Sequence, residues 1–159
     1  MPGNVRSGLV SIPLDAAALA KINTLLGWPN RGVLRRDEAI GLDSQSAFYS
    51  LHKIWDSKSG KLSRQAIVLH GRNGAILAQK AERGLEVGPE CDGCWSPTYW
   101  SRGQGENTVL NMFELPGFAY PLLLMDTSTT EGQALSLVTF TPGLEMSAFR
   151  VYEYVVNCR

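Results

Sequence analysis

The apolar positions of this chain fall in short runs separated by turn residues, and those runs predict a protein built mainly of strands. Gln65-Ala66-Ile67-Val68-Leu69-His70 is rich in strand formers. It runs into Gly71-Arg72-Asn73-Gly74, and Asn-Gly is the strongest short hairpin signal. Ala75-Ile76-Leu77-Ala78-Gln79 returns as the hairpin partner. Upstream, Asp56-Ser57-Lys58-Ser59-Gly60-Lys61 reads as a second hairpin turn. It also decides the segment before it. Phe48, Leu51, His52 and Trp55 would suit a helix face, but as the partner in a hairpin Ala47–Trp55 is a strand. Residues 47–79 are thus expected to form a three-stranded meander.

One stretch has helical character. Ile12–Leu26 carries Ala16, Ala17, Ala18 and Ala20, strong helix formers. Pro13 suits a first turn, Gly27 a C-terminal cap, and Pro29 forbids continuation. Residues 1–11 are expected to be loose, and Asn30–Ser46 an irregular connection or one short strand.

Strand patterning resumes at Thr108–Leu115, closed by Pro116-Gly117. Ala119–Met125 is nearly all apolar and predicts a central strand. Pro121 cannot donate to a ladder and marks that strand's start or a bulge. Asp126–Gly132 reads as an exposed loop, Ala134–Thr141 as a strand, and Pro142-Gly143 as a turn. Phe149–Val156 is expected inside the sheet because of its aromatic content. The sum is a mainly β (α+β) fold: an antiparallel meander of six or seven strands in a sandwich or small barrel, with one N-terminal helix.

Composition narrows the class. The 159 residues suit a single globular domain, 1–159, and 44% hydrophobic against 19% charged residues suit a folded one. Fifteen basic residues balance fifteen acidic ones, without the basic excess of a nucleic-acid binder. Arg31, Arg35 and Arg36 are offset by Asp37 and Glu38, which read as solvated. No apolar run approaches the roughly 18 residues that a membrane-spanning helix needs.

The chemistry concentrates in residues 90–105, Glu-Cys-Asp-Gly-Cys-Trp-Ser-Pro-Thr-Tyr-Trp-Ser-Arg-Gly-Gln-Gly. Trp95, Tyr99, Trp100 and Arg102 are residue types that dominate binding interfaces, and they are the candidate partner-binding set. Cys91 and Cys94 are spaced C-x-x-C, and Cys158 is penultimate. A structural disulfide among the three leads, and it implies an oxidising compartment, periplasmic or extracellular. Inert thiols in a cytoplasmic protein are the alternative. Zinc would want a second close pair of ligands. A redox pair would want a helix after the motif, but Gly93 sits inside it and Pro97 follows close behind.

The expected function is therefore non-enzymatic: a module that engages another protein, of inhibitor or immunity type, with no cofactor, metal or nucleic acid. A rival is a small hydrolase or carbohydrate-active enzyme using His52 or His70 with Asp56, Asp92, Asp126 or Glu131. A third reading is a structural subunit of a larger assembly.

Overall fold

The computed structural model describes residues 5–43, 46–83, 106–128 and 132–155. These form ten strands and one helix. They are β1 (Arg6–Ser7), β2 (Val10–Ile12), α1 (Ala16–Leu26), β3 (Val33–Gly41), β4 (Phe48–Asp56), β5 (Leu62–His70), β6 (Ile76–Arg83), β7 (Glu106–Glu114), β8 (Leu122–Ser128), β9 (Gly132–Phe140) and β10 (Met146–Val155). They make two five-stranded antiparallel sheets, ordered β2-β3-β4-β5-β6 and β1-β7-β8-β9-β10.

The sheets face each other. Tyr49, Leu51, Ile67 and Leu69 of the first sheet pack with Met112, Leu123, Met125, Val138 and Phe140 of the second, all buried. This is a β-sandwich core built from alternate residues of each strand. Tyr49 also crosses between the sheets: its hydroxyl donates to the Pro121 carbonyl at 2.6 Å, just before β8 begins. Pro121 thus precedes a strand, as its missing N–H requires.

The three-stranded meander falls where the pattern placed it, as β4, β5 and β6. The helix is shorter than expected. Asp15 is its N-cap, accepting from the Ala18 amide at 2.7 Å, so Pro13 lies outside it. Gly27 is the C-cap, at φ 62°.

Several expectations are corrected. The stretch 30–46 holds a nine-residue strand, β3, whose burial pattern is masked in the sequence by charged residues at four of its nine positions. Two short strands fall in the N-terminal stretch read as loose: β1 pairs with β7, and β2 with β3. The polar stretch 126–132 is not all loop, because β8 runs to Ser128 and β9 starts at Gly132. The last strand is not interior. β10 stands at the sheet edge, and its Phe149 and Tyr152 face outward instead of inward.

The two outer faces differ. On the first sheet, α1 and the Trp28 that follows it cover the outer side. Ile22 of the helix is fully buried, and Trp28 packs on Ile54 and Ala66. No helix lies on the second sheet among the described residues.

Candidate functional site

Strand alternation places Ser50, His52 and Ile54 of β4 on the face opposite Tyr49 and Leu51, under α1. Register brings Asp37 of β3 opposite His52, and Ala66 of β5 on its other side. His70 sits opposite Phe48, and the two rings stack at 4.5 Å, 1° from parallel.

The polar groups on this face form one chain. Arg35 Nε donates to Asp37 Oδ2 at 2.8 Å. His52 Nδ1 lies 2.5 Å from Asp37 Oδ1, and its Nε2 lies 2.7 Å from Ser50 Oγ. Ser50 Oγ is also 2.7 Å from His70 Nε2, and His70 Nδ1 is 3.3 Å from the Gly74 carbonyl. Ser50 and His52 have no exposed surface, and His70 is 2% exposed.

Electrostatics follow from this packing. Burial works against the charge on Asp37, but the bonds from His52 and Arg35 and their charges hold its carboxyl below the ordinary aspartate value. Burial, above all, pushes the His70 imidazole below its ordinary value, with His52 adding to the effect and the Gly74 carbonyl opposing it. Arg35 also sits over the Trp28 ring, 5.9 Å from its centroid, so the chain is tied to the segment that closes the helix.

Each end of the chain borders a cleft beside α1. His70, with Ala18 and Lys21 of the helix and Asn73 of the β5–β6 turn, lines one of about 430 Å³. Arg35 and Asp37, with Leu19 and Asn23 of the helix, line another of about 250 Å³. Arg35 Nη2 and Asn23 Oδ1 are buried beside the second cleft without hydrogen-bond partners.

An Asp–His–Ser series invites comparison with a nucleophilic triad. The geometry does not favour that chemistry. Ser50 Oγ is held between two imidazoles and has no exposed surface beneath α1. An acyl carbon has no approach to it, and a nucleophile needs one.

The carboxylates named for a hydrolase are elsewhere. Asp56 accepts from the Lys58 and Ser59 amides at 3.0 and 2.7 Å as the capping residue of its turn. Asp126 accepts from Gln133 Nε2 at 2.9 Å on the second sheet. Asp37, read from sequence as solvated, is the carboxylate that meets a histidine. A charged residue inside a nine-residue strand with alternating burial was the available signal, hidden because β3 itself was not recognised. Trp95, Tyr99, Trp100, Arg102, Cys91, Cys94, Cys158, Asp92 and Glu131 lie outside the described residues. Among the described residues, no group of three or more His, Cys, Asp or Glu could hold a metal ion, and no helix is long and apolar enough to cross a membrane.

The second sheet presents a different surface. Phe149 of β10 pairs with Leu137 of β9, which pairs with Leu124 of β8. The next row holds Tyr152 opposite Leu135 and then Asp126. These positions alternate with the buried Met125, Ser136 and Val138, so they point away from the core. Phe149 and Tyr152 are 48% and 49% exposed. Phe118, from the β7–β8 connection, meets Phe149 edge-on at 6.4 Å. Asp126 is the one charged residue in these two rows of β8, β9 and β10.

Comparison with protein-family models, with curated proteins and with solved structures finds no match to this chain.

Proposed function

We propose that this protein is a non-enzymatic binding module that engages another protein through the outer face of its second sheet. The carrying observation is the apolar surface of Leu124, Leu137, Phe149, Leu135 and Tyr152, extended by Phe118, on a sheet face with no helix over it among the described residues. Aromatic residues clustered on a charge-poor surface are what protein interfaces use. The partner is held by side chains of the face and not by strand addition. β10 is an edge strand, but it carries a bulge between Arg150 and Tyr152, and a bulge twists an edge away from further pairing. An inhibitor or immunity-type role suits such a module. The aromatic stretch with Trp95, Tyr99, Trp100 and Arg102 is a second part of the same proposal.

The test compares three forms of the protein as bait in extract from its native source: wild type, Phe149→Ser/Tyr152→Ser, and Trp95→Ala/Trp100→Ala. The captured protein is then purified and titrated against each form. Binding at fixed stoichiometry that is lost in the Phe149/Tyr152 variant supports the sheet face. Loss in the tryptophan variant alone moves the interface to the aromatic stretch. Equal binding by all three forms sinks both. Export belongs to the proposal too and rests on Cys91, Cys94 and Cys158. Intact mass under non-reducing conditions tests it: two missing hydrogens support it, and three free thiols remove its basis.

A further inference from the structure

The buried chain from Asp37 to Gly74 has a proton inventory that does not close with neutral histidines. It contains four contacts: Asp37–His52, His52–Ser50, Ser50–His70 and His70–Gly74. Both ends are acceptors, an aspartate carboxylate and a backbone carbonyl. Each contact needs one proton to be a hydrogen bond. Two neutral imidazoles and one hydroxyl supply three. With three protons, one contact must set lone pair against lone pair. The longest, His70 Nδ1 to the Gly74 carbonyl at 3.3 Å, is the one to give way. His70 then donates from Nε2 to Ser50, and Ser50 donates to His52.

We infer that the His52–Ser50–His70 chain is a buried proton-binding site, and that taking up a fourth proton reverses both hydrogen bonds of Ser50 and makes the one from His70 Nδ1 to the β5–β6 turn. In the four-proton state His52 donates from both nitrogens, to Asp37 and to Ser50. Ser50 donates to His70 Nε2. His70, neutral in both states, donates from Nδ1 to Gly74. The positive charge thus rests on His52, against the Asp37 carboxylate, and the change of tautomer at His70 carries the event to the turn that borders the 430 Å³ cleft. Burial favours the neutral form of both histidines, and only His52 has a carboxylate, Asp37, beside it to offset that cost, so the charge rests on His52 and His70 stays neutral.

The surroundings contribute few other charges. From β3 they are Arg35 and Asp37, and from β5 Arg64, in the row beyond Ala66. From α1, Asp15 and Lys21 line the cleft at His70. From β6 the residues opposite His70, Val68 and Ala66 are Ile76, Gln79 and Ala81, all uncharged, and Arg83 stands opposite Arg64 in the register.

The experiment is a pH titration of the ring nitrogens by ¹⁵N-detected NMR on the wild-type protein, from about pH 5 to pH 8, where histidine charge changes are read. The expected result is one shared transition. His52 loses a proton as pH rises, and over the same pH interval the His70 proton moves from Nδ1 to Nε2. A His70 that keeps one tautomer while His52 titrates overturns the inference, and so does a pair titrating at separate midpoints. A chain that shows no transition across the range overturns it as well. In Ser50→Ala the two rings are uncoupled, so His52 should titrate without a tautomer change at His70; coupling that survives this change excludes the relay. The wild-type titration decides by itself should Ser50→Ala not fold.

Discussion

Asp37 and His52 face each other across β3 and β4, with Oδ1 and Nδ1 2.5 Å apart beneath the helix. A carboxylate bonded to an imidazole and a guanidinium at once is a strong local electrostatic tie, and hydrogen bonds to charged groups contribute about 1.5–3 kcal/mol each. The pair joins the strand that sequence patterning obscured to the centre of the first sheet.

Asp37→Asn should therefore lower stability by about 2 kcal/mol in urea titration at neutral pH. The pH dependence has a definite sign. The Asp37 pKa is depressed in the folded protein, so its contribution is complete above the ordinary aspartate value of about 4 and is lost as pH falls through the lower folded value. Wild type should lose stability below about pH 4 more steeply than Asp37→Asn. Parallel acid curves for the two would refute the assignment.

Ile22 is the one buried residue of α1. An eleven-residue helix is marginal alone, so its docking rests on Ile22 and on the neighbouring Trp28 contact with Ile54 and Ala66. Ile22→Ala should cost about 2–4 kcal/mol and speed amide exchange across α1 more than in the strands. Uniform exchange changes over the whole protein would show that the helix does not undock separately.

The turns after β5 and β9 share a hydrogen-bond pattern. Gly71 and Thr141 amides donate to Ala75 and Glu145 carbonyls, and Gly74 and Leu144 amides donate back to Gly71 and Thr141. The fourth turn position is left-handed in both, φ 81° at Gly74 and 64° at Leu144. A leucine there is strained by roughly 1 kcal/mol relative to glycine. Leu144→Gly should raise the unfolding midpoint, and Gly74→Ala should lower it. A drop in stability for Leu144→Gly would contradict this account.

Tyr49 is buried with its hydroxyl on the Pro121 carbonyl. Burial, first of all, lifts its phenol well above the ordinary tyrosine value, with Thr139 opposing and Tyr120 adding. Its folded pKa is raised, so stability from the neutral phenol is present below about pH 10 and is lost as pH rises further. Tyr49→Phe should cost about 1 kcal/mol at neutral pH, because Thr139 still donates to Pro121. It should also flatten the alkaline loss of stability. An alkaline profile equal to wild type would count against the buried phenol as its source.

The chain by itself determined the class of the fold and much of its framework. Asn73-Gly74, the 56–61 turn and Pro142-Gly143 sit between apolar runs, and local turn chemistry is enough to pair neighbouring strands. The helix end at Gly27 was legible for the same local reason. What patterning could not supply was which face of each strand meets which layer. β3 carries Arg35, Arg36, Asp37 and Glu38 and reads as an irregular connection or one short strand, yet as a nine-residue strand it places Arg35 and Asp37 on the helix side, where Asp37 accepts from Arg35 Nε and meets the buried His52. β10 reads as interior, yet it ends the second sheet, because sheet order depends on contacts between residues far apart in the chain. The two histidines and Ser50 carry no recognisable spacing. Only the register of β3, β4 and β5 under α1 strings them together, and that register is a property of the assembled sheet.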